Sequence, residues 1–233
     1  MLPRDRLIVA LDVPSVEEAR ALVDKLGDSV GVYKIGLELL FSGGFELAQE
    51  LAQHDRPVFV DAKLLDIEAT VERATAAIAR MGVEFLTVHA LDAKTLDAAV
   101  RGREGTKLKL LGVTVLTNLD RDDLKEQGID RPPLELAIYR AMLAQEAGFE
   151  GVVASAQEAA GLREALGPGV LIITPGIRPK GSKANDQARV MTPAEAIRAG
   201  ANYLVVGRPI TRAPDPRAAA DAIVGEIAAA LAG

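Results

Sequence analysis

Short apolar runs rich in Val, Ile and Leu recur along the whole chain, at residues 7–12, 30–36, 57–61, 84–89, 108–116, 151–155, 170–174 and 203–207. They are continuous rather than alternating, as strands covered on both faces of a parallel sheet should be. Between them apolar positions return at helical spacing. Ser15 and Glu18 form a capping-box signal, followed by Val16, Ala19, Leu22, Val23 and Leu26 on one face. Ile67, Val71, Ala74, Ile78 and Met81 predict a second apolar stripe, stopped by Gly82. Thr192, Pro193 and Glu195 predict a helix start, and Gly200 its end. A last helix should bury Ile223, Val224, Ile227 and Leu231.

Eight strand-then-helix units with short connections fit a closed barrel or a long doubly wound sheet, and the count of eight favours the barrel. The expected fold class is therefore α/β, a single (β/α)8 TIM barrel over residues 1–233. That length is close to the ~250 residues typical of such a domain. The longest irregular stretches, 118–133 and 175–189, are candidates for functional loops.

Composition narrows the function. The net charge of -6 argues against nucleic acid or an anionic membrane as partner. There is no cysteine, hence no disulfide framework and no thiolate metal site. No apolar run reaches the ~18 residues needed to span a bilayer, and the first residues lack the apolar core of a secretion signal. The expectation is a soluble, cytoplasmic protein.

In a (β/α)8 barrel the chemistry sits at the C-terminal ends of the strands. The first strand ends in Asp12, the second carries Lys34, and Phe59, Asp61 and Lys63 share a face of the third by two-residue alternation. Charges converging there need each other, because an unpaired buried charge is costly. Residues 174–178 (TPGIR) and 205–209 (VVGRP) follow strands seven and eight, the usual phosphate cradle of the fold. Gly176 and Gly207 would admit an anion to backbone N–H groups, and Arg208 could grip it with two hydrogen bonds. His54 reads as solvated and His89 as a packed residue at the end of strand four. Ser155 lacks a neighbouring base and reads as structural. With two histidines and no cysteine, no metal site is expected.

The segment 61–70 (DAKLLDIEAT) resembles the D-x-K-x-x-D-I-x-x-T signature of the orotidine 5'-phosphate decarboxylase family. Residues 7–14 (LIVALDVP), 33–36 (YKIG), 113–117 (VTVLT), 152–158 (VVASAQE), 174–179 (TPGIRP), 186–187 (DQ) and 206–209 (VGRP) resemble further family segments in the family's order. The resemblance implies a cofactor-free conversion of orotidine 5'-phosphate to uridine 5'-phosphate by a homodimer. It implies that Lys63 protonates C6, that Asp61 sits by the departing carboxylate, and that Lys34 pairs with Asp61 and touches the ribose. Asp66 would complete a Lys-Asp-Lys-Asp array from the other subunit, and Thr70 would cross to the partner's ribose. Asp12 would bind a ribose hydroxyl and Thr117 the pyrimidine edge. Arg178, Gln187, Gly207 and Arg208 would surround the phosphate.

Where family members often read D-I-P-N-T or D-I-G-N-T, this chain has Glu68 and Ala69. Glutamate suits a helix start through the dipole, so the helix is expected to form. The rival readings are a magnesium-dependent sugar-phosphate decarboxylase, which carries an acidic residue in place of Lys34, a phosphate-binding barrel isomerase, and a catalytically inactive scaffold barrel.

Overall fold

The computed structural model describes residues 1–179 and 191–232. Eight strands close into one parallel barrel in chain order. They are β1 (Leu7–Ala10), β2 (Val32–Gly36), β3 (Val58–Leu64), β4 (Phe85–His89), β5 (Lys109–Val113), β6 (Gly151–Val153), β7 (Leu171–Thr174) and β8 (Tyr203–Val206). Each β-then-α unit of the sequence pattern is present.

Two apolar layers account for the continuous strand patterns. Outward residues such as Leu7, Val9, Ile35, Val60 and Leu86 pack against the ring of helices. Inward residues Ile8, Ala10, Val32, Phe59, Phe85, Leu111, Ile173, Tyr203 and Val205 fill the barrel interior. Phe85 meets Phe59 and Tyr203 edge to face, at 6.1 and 5.5 Å between ring centroids. These rings pack together inside the barrel.

The helix termini follow the capping chemistry. The Ser15 hydroxyl accepts from the Glu18 amide at the start of the helix Val16–Leu26. Thr192 and Glu195 form a reciprocal capping box ahead of the helix Pro193–Arg198. The helix Glu68–Ala79 begins at Glu68, as the dipole argument required.

Two apolar stripes differ from expectation at one end. Ile67 lies outside the helix it precedes and is 73% exposed, so that stripe starts at Val71. In the helix Pro216–Ala232 the buried face is Ala220, Ile223, Ile227 and Ala230, and Leu231 falls one step around the helix into solvent. Residues 114–116 were expected in the fifth strand, but the ladder ends at Val113 where its partners on β4 and β6 end. Conversely, β3 runs on to Leu64, past the expected end at 61.

Candidate active site

The extension of β3 has a physical origin. Val60 pairs with Leu86 and Leu64 with Val88, so three residues, Asp61, Ala62 and Lys63, stand opposite the single residue Thr87. Bulges of this kind re-aim side chains and gather next to active sites. Lys63 takes a left-handed backbone conformation, φ 48°, which for a residue other than glycine costs about 1–3 kcal/mol. Simple alternation therefore does not explain why Asp61 and Lys63 share the mouth of the barrel. The bulge does.

A cavity of about 510 Å³ opens at the C-terminal ends of the strands. Its wall includes Asp12, Lys34, Asp61 and Lys63 from the first three strand ends. Their charges form a continuous chain. Lys34 Nζ lies 3.0 Å from Asp12 Oδ1 and 3.4 Å from Asp61 Oδ2, and Lys63 Nζ lies 2.8 Å from Asp61 Oδ1. Lys34 and Asp61 are 7% and 8% exposed. Burial by itself disfavours the Lys34 ammonium, but the Asp61 and Asp12 carboxylates outweigh it and raise its pKa. Burial likewise disfavours the Asp61 anion, and Lys34, Lys63 and the hydrogen bonds from Lys63 and Thr87 overcome it and lower its pKa. Lys34 and Asp61 keep their charges because opposite charges surround them.

Two residues that sequence reasoning missed complete this corner. The Thr87 hydroxyl donates to Asp61 Oδ1 at 2.9 Å and accepts from the Lys63 backbone N–H at 3.0 Å. Gly36 leaves room for the Lys34–Asp12 pair, since a Cβ there would come within 2.8 Å of Lys34 Nζ and 3.0 Å of Asp12 Oδ1. Nothing in Thr87's own segment signals its role. Gly36 follows Lys34 by two residues at a strand end, which is a usable signal.

The other expected residues divide into three groups. Thr117, Gly176, Arg178, Gly207 and Arg208 line the same cavity. A short helix, Arg208–Thr211, starts at Gly207, which is the element this fold commonly sets at a phosphate site. Gly176 has φ 80°, a conformation glycine adopts without strain. Asp66 and Thr70 do not line the cavity of their own chain. Asp66 is exposed and accepts from the Ile67 N–H at 2.7 Å. Gln187 lies outside the described residues.

His89 is half-buried, and burial together with the nearby Lys63 and Arg140 charges lowers its pKa. Ser155 is buried and caps a turn, its N–H donating to Glu158 Oε2 at 3.1 Å. Among the described residues no three His, Cys, Asp or Glu side chains cluster as a metal site. No helix among them is long and apolar enough to cross a membrane.

Other proteins resemble this chain over nearly its whole length. The orotidine 5'-phosphate decarboxylase of Afipia carboxidovorans is 55% identical over 228 residues, 98% of this chain and 97% of the relative. That of Methylobacterium nodulans is 54% identical over 231 residues, 98% of each chain. The crystal structure of orotidine 5'-phosphate decarboxylase from Lactobacillus acidophilus superimposes with a TM-score of 0.84 at 37% identity, over 95% of this chain and 98% of that one. A model of the orotidine 5'-phosphate decarboxylase / HUMPS family matches residues 5–223. With the match spanning every strand of the barrel and the full charged corner, the chain belongs to the orotidine 5'-phosphate decarboxylase / HUMPS family.

Proposed function

We propose that this chain decarboxylates orotidine 5'-phosphate to uridine 5'-phosphate and carbon dioxide, a step of pyrimidine biosynthesis, without a cofactor. The observation that carries the reading is the Asp61 carboxylate held between two ammonium groups in a cavity that also presents Arg178 and Arg208. Cleaving the bond from C6 to the carboxylate leaves an electron pair on a ring carbon with no adjacent sink. Many decarboxylases take such a sink from pyridoxal or thiamine cofactors. Here fixed charges serve instead, and they need no rearrangement as charge develops. An ammonium ~4 Å from a unit negative charge contributes roughly 4 kcal/mol at an effective dielectric near 20.

In this reading Lys63 transfers a proton from Nζ to C6 as carbon dioxide leaves, and the amine regains a proton from water. Asp61 holds Lys63 beside the departing carboxylate. Lys34 and Asp12 take the ribose hydroxyls, and Thr117 the pyrimidine edge. Arg178, Arg208 and the Gly207 backbone, with Gln187, receive the phosphate. Binding energy at that remote group can be used to order the reacting end.

The same reading makes the working unit a cytoplasmic homodimer. Asp66 and Thr70 serve a neighbouring subunit, Asp66 as the fourth charge of the Lys-Asp-Lys-Asp array and Thr70 on the ribose. Support comes from the segment around Asp66, where Leu65 and Ile67 are 50% and 73% exposed. Apolar side chains exposed on either side of Asp66 are surface that a subunit contact would cover. A magnesium-dependent sugar-phosphate decarboxylase is less well supported, because the Lys34 ammonium pairs with the two carboxylates that a metal would need.

The test is direct. Purified protein in EDTA should deplete the ultraviolet band of orotidine 5'-phosphate and release carbon dioxide. An intact band under EDTA that disappears only on adding magnesium would overturn the cofactor-free reading. Mixing inactive Lys63→Ala with inactive Asp66→Ala should restore part of the activity in hybrid dimers. No recovery after verified subunit exchange would remove Asp66 from the shared site.

A further inference from the structure

We infer that Thr87 is a positioning residue for the reaction, whose single hydroxyl sets both the backbone of Lys63 and the orientation of Asp61. The inference rests on the proposed decarboxylation, but its geometry stands apart from it. Thr87 sits on β4, facing the three bulged residues of β3. The interruption deprives the Lys63 N–H of a regular ladder partner, and Thr87 Oγ1 takes that place at 3.0 Å. A backbone N–H can only donate, so the oxygen of Thr87 must accept there. Its one proton is then left for Asp61 Oδ1, 2.9 Å away. The direction of both bonds is thus fixed by the chemistry of the donors, with no alternative rotamer of the hydroxyl satisfying both neighbours.

The consequence is a closed ring of constraints. Lys63 is tied to Asp61 through its ammonium at 2.8 Å and to Thr87 through its amide. Asp61 Oδ1 accepts from both Lys63 and Thr87. Thr87 itself is fully buried, so water cannot replace the hydroxyl. Without it Lys63 would lose the tie that holds its left-handed backbone, and its side chain would no longer be aimed by the fold. A rate that depends on placement within an ångström is sensitive to such a loss.

Thr87→Val keeps the shape and removes the hydroxyl, whereas Thr87→Ser keeps the hydroxyl and removes a methyl. Thr87→Val is expected to lower kcat for orotidine 5'-phosphate about 10- to 100-fold, the rate equivalent of one hydrogen bond to a charged group. KM should stay within about threefold, because no substrate contact is lost. Thr87→Ser should recover most of the rate. The acid limb of the kcat profile should move to higher pH in Thr87→Val, since Asp61 loses a donor while Lys34, Lys63, Asp12 and His89 around it remain. Equal losses in the Val and Ser variants, or a wild-type rate and profile in Thr87→Val, would overturn the inference. If wild-type protein leaves orotidine 5'-phosphate unchanged, the proposed function fails. The inference is then decided by carbon-13 titration of the Asp61 carboxyl, which must shift upward in Thr87→Val and not in Thr87→Ser.

Discussion

The two ends of the barrel use charged side chains in opposite ways. At the N-terminal end, cations tie strand entrances to the backbone. Arg163 donates to the carbonyls of Gly167, Val170 and Gly200 at 2.6, 2.8 and 2.9 Å, and to Asn202 Oδ1. Asn202 Oδ1 also accepts from the Ile172 N–H at 2.8 Å. Arg103 donates to the carbonyls of Leu108 and Gly148 and pairs with Glu150, which accepts from the Leu110 N–H. At the C-terminal end Asp12, Lys34, Asp61 and Lys63 pair with one another, and their side chains face a cavity. Charges spent on backbone carbonyls close a fold. Charges that balance among themselves in a cavity remain available to a ligand, and this is the usual division of labour between the two faces of such barrels.

That contrast can be broken from either side. The largest effect should come from Lys63→Ala, expected to lower turnover of orotidine 5'-phosphate by at least about 1,000-fold through loss of general acid and electrostatic aid together. Its melting temperature should change little, and calorimetry beside a rate assay would check both. Arg163→Ala should do the reverse. Three carbonyls and Asn202 would lose a donor, at a cost of about 2–4 kcal/mol in urea unfolding, with kcat retained. A large loss of rate there would mean that the two ends are not separable.

A smaller effect concerns pH. The Asp61 pKa is held below its ordinary value of 3.8, so its contribution to stability is present above that value and is lost as pH falls through the folded pKa. The Lys34 pKa is held above 10.5, so its contribution is present below that value and is lost as pH rises through the folded pKa. The stability difference between wild type and Asp61→Asn should therefore be flat from about pH 7 to 9; below that range it changes first as His89, whose cation Asp61 favours, takes up its proton, and then as Asp61 itself does. A slope at about pH 8 in thermal unfolding would show that one of the two ions is not charged there. The smallest effect is expected from Gly36→Ala. Its new Cβ would meet only the ends of the Lys34 and Asp12 side chains, which can move. Folding should change by less than about 1 kcal/mol, while KM rises a few-fold if the Lys34–Asp12 pair touches the ribose.

The legible part of the active corner was the part carried by strand ends. Asp12 closes the first apolar run and Lys34 stands in the C-terminal half of the second, and in a parallel barrel every strand points its C-terminal end to one mouth, so their meeting follows from the strand pattern. Arg178 and Arg208 were legible for the same reason, each following the last residues of β7 and β8. Lys63 was placed correctly for an incomplete reason, because alternation alone does not account for its left-handed backbone. Thr87 was not legible. Its segment reads as an apolar strand, and its hydroxyl matters only because β3 bulges opposite it. The exposure of Ile67 and Leu231 was also missed, since helical spacing marks which residues share a face but not where the neighbouring surface ends.

By itself the sequence determined eight parallel strands, their covering helices and the set of charges at one end, because burial and periodicity act locally along a chain. Only the tertiary structure decided the register of β3 against β4, the conformation of Lys63, the space left by Gly36 and the bond from Thr87 to Asp61. Those depend on which atoms of distant segments come within a few ångströms, and a hydrogen bond between strands is invisible until both strands are in place.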